Sequence, residues 1–556
     1  MRPHATHTAR ASQVGVIVIG YNDAAHVTTA VRSALAQGPA VREVVAVDDC
    51  STDDSAALLA RLAATEPRVQ LVRRRVNSGG CGSPRNTGLD RVTSPYVMFL
   101  DSDDVLPPGA VDALLAAATE AGADVASGLC VRRELPEGRE VPWQASLYAA
   151  HAVFERPAQR PRLVHDTLCV NKLYRTDFLR THGIRFPEGR FLYEDFVFTA
   201  RVLAAGPRLA LVPDRVYVWH VRRSAGRLSI SLDRADITNW RARTEACRLA
   251  YEILLGAEQK DLARAARAKF LEHELRMYVR ELGSRDAHYQ RAWWAHTRTY
   301  LADYEASDWT HNPTAPGRLI GRVILASPEP RDLLRLRDLA ARPARLLPPY
   351  AHAPDGTPVW SADLPQVTLE PLLTVPVRIL PLAVDAELHP RARGTLLRLR
   401  LQELYGRVAQ AGPEEVEVEW RHRTRGHTRD CRTAPLAPAL DGSWSAETTI
   451  DLAALCADST GDTSGVGGTD GTDGISTWDL RLRVRFRNGA YREVTAHALT
   501  GAGPLRRRIM VSIRYAVVLV QPYAAPSGAL ALRMAPGLRG VMSVVRGRLR
   551  RLLHCL

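Results

Sequence analysis

Residues 96–109 read YVMFLDSDDVLPPG, an apolar run ending in three carboxylates, Asp101, Asp103 and Asp104, with two prolines just beyond. The run has the length and character of a buried strand. Like charges crowded at its end repel one another, and at least one acid titrates late unless a cation neutralises them. In a tight turn Asp101 and Asp103 can both aim at one ion, and Mg²⁺ or Mn²⁺, which take oxygen ligands, are the simplest neutralisers. A solvated turn whose last aspartate caps the following helix accounts for the same residues.

Working outward, the first 230 residues alternate short β-branched runs with helical segments. VGVIVIGYN precedes a helix expected over 24–37, EVVAVDD precedes one over 53–64, and VQLVRRR and YVMFLDSDD precede one over 109–121. Buried strands separated by amphipathic helices predict right-handed βαβ units and a mostly parallel sheet. Ligands of such sheets bind at the carboxyl ends of strands, where the polar clusters GYND, DDCSTDD and DSDD all fall.

From about residue 236 to 304 apolar residues repeat at three and four, which predicts helices. The segment 327–350 ends in prolines and reads as a connector. Beyond it, runs such as VEVEWRHRT and WDLRLRVRFRNGAYREVTAHAL alternate at period two, as in an antiparallel sandwich, and Asn488-Gly489 marks a hairpin. A low-complexity stretch, 458–474, reads as a loop. The expected domains are 1–235, an α/β unit; 236–350, a helical extension and linker; 351–530, a β-sandwich; and 531–556, a tail.

The chain has 556 residues and a formal net charge of +14, carried almost wholly by arginine. That balance suits phosphates or an anionic surface, but the arginines are dispersed and match no nucleic-acid reader motif. Eight cysteines show no C-x-x-C pair, so a reducing, cytoplasmic setting is expected. No stretch reaches the ~18 apolar residues of a membrane span. The final segment, 537–556, mixes Leu and Val with arginines and no acid, as in helices that lie on the inner face of a membrane or pack in an oligomer.

Taken in order, VGVIVIGYN, EVVAVDDCSTDDS, NSGGCGSPRNTGLD, YVMFLDSDD and FLYEDFVFTARVL resemble the catalytic domain of glycosyltransferase family 2, a GT-A (nucleotide-diphospho-sugar transferase, Rossmann-like) fold. The resemblance covers about residues 12–235. It implies nucleotide contacts from Tyr21, Asn22, Asn77, Arg85 and Ser102, with Asp48 and Asp49 recognising the nucleoside, commonly a uracil. It further implies metal ligation by Asp101 and Asp103, with His220 as a candidate third ligand. Glu194 and Asp195 match the acid pair whose second member removes a proton from the acceptor hydroxyl. In YVWHVRRSAGRLSIS (217–231), Arg222, Arg223 and Ser229 are candidate phosphate contacts. Lys172, in VNKLYR (170–175), is a candidate donor or acceptor contact, or simply part of a strand entering a turn.

The activity implied is metal-dependent inverting transfer of a sugar from a UDP-type donor to a cell-surface polymer or lipid-linked glycan. A helical segment followed by a β-domain resembles the teichoic-acid-decorating members, whose β-domains oligomerise. No Q-x-x-R-W motif follows residue 195, which argues against a processive synthase. Two other readings remain at this stage. One is a scaffold carrying an inactive transferase domain, and the other is a sugar-nucleotide nucleotidyltransferase, although GYNDAAHVTTA is not the Gly-rich loop that such enzymes use.

Overall fold

VGVIVIG forms β1 (Val14–Gly20), buried on both faces, as a strand in the middle of a helix-covered sheet must be. In the computed structural model, which describes residues 13–136, 138–222, 233–310, 315–391, 394–423, 426–457, 476–499, 508–512, 516–525 and 527–537, the chain divides into two compact units. The first takes in Met1–Glu274 and Ala287–Asn312, the second Leu275–Asp286 and Pro313–Leu556.

In the first unit β1 lies between β2 (Val41–Asp48) and β4 (Tyr96–Asp101), with β3 (Val69–Arg73) beyond β2, all parallel. The helices between them are α1 (Val27–Leu35), α2 (Ser55–Thr65) and α3 (Gly82–Arg91), and α4 (Ala110–Ala121) follows β4. In α1, Val27, Ala30, Val31 and Ala34 are buried, the stripe that a period of 3.6 produces. It begins three residues later than expected. The backbone N–H groups of Asp23 and Ala24 are taken instead by Ser55 Oγ (2.9 Å) and Asp53 Oδ2 (3.0 Å) of the next strand-to-helix loop.

Past β4 the order runs through β8 (Lys172–Arg175), β5 (Val125–Leu135), β9 (Leu209–Arg222) and β7 (Ala152–Phe154), with β6 (Arg139–Pro142) paired to β5. Because VNKLYR enters antiparallel to both β4 and β5, this half is mixed, while the half that carries the motifs is parallel throughout. The chain winds from β1 toward β3 on one side and returns to place β4 on the other. The crevice at the carboxyl ends of β1 and β4 is therefore the topological switch point. Registers Gly20↔Asp48 and Ile19↔Asp101 bring the acidic ends level there.

Helix α3 sits unusually close to its neighbours. A Cβ on Gly88 would lie 2.3 Å from Ile17 Cγ2, and one on Gly82 would lie 2.0 Å from the carbonyl oxygen of Pro187. After β8 come α5 (Thr176–Thr181) and α6 (Glu194–Ala204), and after β9 come α7 (Ile237–Gly256) and α8 (Lys260–Lys269). Phe186 and Phe198 of α6 stack at 3.9 Å, and Phe99 of β4 meets both edge-on at 5.1 and 5.7 Å. The floor under the acidic turn and the start of α6 is thus one aromatic block.

In the second unit the segment expected as a connector is packed. Residues Leu333–Ala340 form a helix with Leu336, Asp338 and Leu339 buried. Arg345 donates to Asp338 Oδ1 at 2.9 Å, and the Arg335 guanidinium lies 3.9 Å from the Trp360 ring centroid. The prolines bound a helix with an apolar stripe, and the stripe decides. A five-stranded and a seven-stranded sheet follow, with alternating burial along Thr395–Leu401, Pro413–His422 and Ser476–Phe486. Among the described residues, pairing in these sheets is antiparallel except between Val384–Pro390 and Ala496–Ala498, which run parallel. Their wide separation in the chain leaves room for the crossover that a parallel pair needs. Ser476–Phe486 turns into Tyr491–Val494 at Asn488-Gly489, where Gly489 has φ +74° and Asn488 Oδ1 accepts from Ala490 N at 2.9 Å. Residues 458–474 and 538–556 lie outside the described residues. Among the described residues no helix is long and apolar enough to cross a membrane, and Cys50, Cys81, Cys130, Cys169, Cys247 and Cys431 are free.

Candidate active site

Three strand ends meet at the crevice. Asn22, at φ +51°, ties β1 to the loop after β2: its N–H donates to Ser51 Oγ (2.9 Å) and its Oδ1 accepts from Thr52 N (2.7 Å). Tyr21 beside it is exposed. Asp23 Oδ2 accepts from Ser102 Oγ at 2.7 Å, which fastens β1 to the aspartate-rich turn.

The two acids closing β2 have different surroundings. Asp49 accepts on Oδ2 from Ser78 Oγ (2.7 Å), Ser78 N (3.0 Å) and Asn77 Nδ2 (3.1 Å), and its Oδ1 is ion-paired with Arg74 Nε at 2.7 Å. Asp48 receives Ser51 N at 3.2 Å on Oδ2, while its buried Oδ1 has no hydrogen-bond partner. A buried acceptor left over in this way wants a donor. Asn77, expected at the nucleotide, holds the Asp49 loop together.

The turn after β4 is as acidic as its sequence implies. Asp104 is buried, accepting from Tyr217 Oη (2.8 Å) and from His220 N (2.7 Å), and burial together with the charges of Asp103 and Asp101 pushes its carboxyl well up. Asp103 is half-exposed and pairs with Arg222 Nη1 at 3.1 Å. Desolvation, Asp101 and Asp23 outweigh that arginine and push its carboxyl up to about 6. The His220 ring faces the Asp103 carbonyl, Nδ1 to O 3.0 Å, and burial lowers its proton affinity. Among the described residues no group of three or more His, Cys, Asp and Glu side chains is arranged to hold a metal ion. Asp101 and Asp103, each with an arginine on one side, nevertheless offer the carboxylate oxygens that a hard divalent cation takes while completing its shell with water or phosphate oxygens.

Arg85 is buried, with Nη2 on Asp101 Oδ1 at 2.7 Å, Nη1 on Glu194 Oε1, and its guanidinium 5.3 Å from the Phe186 ring centroid. The close seat of α3 brings it there. Lys172 is buried too, donating to Asp166 Oδ2 (2.8 Å) and Asn171 Oδ1 (3.1 Å) in a network that includes Tyr148. A strand residue whose neighbours on the same sheet are apolar can bury a lysine only with such partners.

Glu194 and Asp195 open α6, where a helix N-terminus favours negative charge. The turn into it is strained: Tyr193 has φ +64°, a conformation that non-glycine residues adopt at a cost of roughly 1–3 kcal/mol. Desolvation and the neighbouring charge on Glu194 push the Asp195 carboxyl up to about 7, against the pull of Arg85, Arg243 and Lys269. Asp104, Tyr217, Arg74 and Arg243 were not anticipated as parts of this frame. Only Asp104, the third acid of DSDD, carried a local signal. Arg223 and Ser229 lie outside the described residues.

A sheet with its switch point between β1 and β4, an aspartate-rich turn at the crevice and an acid pair heading a helix beside it are the arrangement of a GT-A fold. Residues 15–183 match the model of the family described as Glycosyl transferase family 2. The chain is 31% identical over 229 residues to the succinoglycan biosynthesis protein ExoO of Rhizobium meliloti, covering 40% of this chain and 65% of that protein. It is 30% identical over 220 residues to the poly(ribitol-phosphate) β-N-acetylglucosaminyltransferase TarS of Staphylococcus aureus, covering 38% of this chain and 36% of that one. The matches therefore span less than two thirds of either relative. The crystal structure of S. aureus TarS resembles this one with a TM-score of 0.50 at 18% identity, over 94% of this chain and 85% of that chain, a likeness of fold.

Proposed function

We propose that the chain is a non-processive, inverting glycosyltransferase that moves a sugar from a UDP-type donor onto a cell-surface polymer or its lipid-linked precursor. One observation carries the reading. A single buried guanidinium, Arg85, touches both Asp101 of the acidic turn and Glu194 of the helix-start pair. The donor-side and acceptor-side acids are thus no more than one arginine head group apart, facing one crevice.

On this reading the acceptor hydroxyl approaches Asp195, which takes its proton as the oxygen attacks C1 of the sugar. The C1–O bond to the acceptor forms, the C1–O bond to the diphosphate breaks, and the electron pair leaves with the nucleoside diphosphate. A Mg²⁺ or Mn²⁺ held by Asp101 and Asp103, with His220 as third candidate, would offset the charge gathering on that leaving group. Arg222, Arg223 and Ser229 are assigned to the same phosphates, the exposed Tyr21 to the base, and the unpartnered Asp48 Oδ1 to a ring N–H. Arg85, Asn22, Asn77, Asp49 and Ser102 keep these groups in place. The acceptor class draws support from the relatives, one named for succinoglycan biosynthesis and the other for poly(ribitol-phosphate). A peripheral membrane contact through 537–556 and self-association through the β-rich unit complete the proposal.

The test is incubation of the protein with Mn²⁺, radiolabelled UDP-sugars and polymeric acceptors, alongside D101A and D195N. Loss of transfer in both variants supports the roles; unchanged turnover in either overturns them.

A further inference from the structure

Helix α7 begins some fifty residues beyond the segment that matches the family, yet it packs directly on the start of α6. Tyr193, the strained residue before the acid pair, donates its hydroxyl to Asn239 Oδ1 at 2.7 Å. The Arg243 guanidinium lies 4.2 Å from the Tyr193 ring centroid and 5.4 Å from that of Phe196, so it rests on the two rings that flank Glu194 and Asp195. Arg243 is itself anchored on the buried Glu274, which also takes Lys269 Nζ at 2.8 Å, and Lys269 stands 4.2 Å from the other contact of the clamp, the Phe196 ring.

A left-handed tyrosine persists only where its surroundings over-determine it. Here one hydrogen bond and a stacked arginine supply that constraint. Resting on the reading above, we infer that α7 is a working part of the active site: Asn239 and Arg243 are positioning residues that hold Tyr193 and so aim Asp195 at the acceptor hydroxyl. The charged groups facing Asp195 are Glu194 on its own helix, Arg85 from α3, Arg243 from α7 and Lys269 from α8, with the Cys169 thiol nearby. Three cations against one acid make the clamp electrostatic as well as steric.

The full-length protein is assayed for transfer from a UDP-sugar that it turns over, with Y193F, R243Q, R243K and D195N, each checked for an unchanged circular-dichroism spectrum. Y193F removes only one hydroxyl and keeps the test alive if R243Q does not fold. Expected are at least a tenfold loss of kcat in Y193F and R243Q with donor KM within twofold. The acid limb of the pH–rate profile should move upward in R243Q, because a neighbouring cation is gone, and stay in place in R243K. Wild-type kcat and pH profile in Y193F and R243Q, with D195N inactive, would overturn this inference and leave the transferase reading standing. An active D195N would remove the reading on which it rests.

Discussion

Asp195 and Arg85 are the two side chains on which the chemistry turns, and each supports a prediction. A general base acts only when deprotonated, and burial beside Glu194 raises the Asp195 carboxyl to about 7. Activity measured as kcat/KM should therefore rise through a midpoint near neutrality and fall away below it, whereas a solvated aspartate would place that limb near 4. Arg85 is enclosed between two carboxylates, so R85A leaves Asp101 and Glu194 crowded without their shared cation. Breaking a buried pair from one side costs about 3–5 kcal/mol, and the loss should appear as a lowered melting temperature together with lost transfer; a stable, active R85A would contradict the bridge. The residue types needed for transfer chemistry were legible in GYND, DDCSTDD, DSDD and YED because strand ends concentrate polar groups. Their division of labour was not. Whether an acid such as Asp49 is ion-paired with Arg74 and held by Ser78, or keeps an oxygen with no cation beside it like Asp48, depends on which loops fold over it, and no local pattern encodes that.

At the scale of elements, the seat of α3 is the most exacting feature. Gly88 faces Ile17 of β1 and Gly82 faces the backbone at Pro187, each without room for a methyl group. G88A should push α3 off the sheet and carry Arg85 with it, at a cost of roughly 1–3 kcal/mol for overpacking. Chemical denaturation would show a lower midpoint, and a variant as stable as the parent would show that α3 gives way freely. The parallel half of the sheet could be read from β1, β2 and β4, which are largely apolar runs, whereas β3 exposes Gln70 and Arg73 and the helix α3 after it, GSPRNTGLDR, carries no apolar stripe to announce it. The antiparallel β8 could not be read, since direction is set by a long connection and not by composition. The helix Leu333–Ala340 was obscured by the prolines around it, although its leucines keep helical spacing.

For the molecule as a whole, ligand linkage gives a test that needs no acceptor. A nucleotide bound only by the folded state stabilises it by about 2.7 kcal/mol at a hundredfold excess over Kd. UDP with Mn²⁺ should therefore raise the melting temperature by several degrees, and UDP without a divalent ion by much less. No UDP-dependent shift in either condition would remove the nucleotide site. The net charge of +14 is almost free of lysine: there are three, at positions 172, 260 and 269. Lys172 and Lys269 are locked inside against Asp166 and Glu274, and only Lys260 is exposed, at the start of α8. An amine-reactive fluorophore applied to the folded protein would therefore mark a single side chain, any α-amino group aside. The same reagent would reach the other two only as the chain opens, giving a mass-spectrometric clock for unfolding written into three residues.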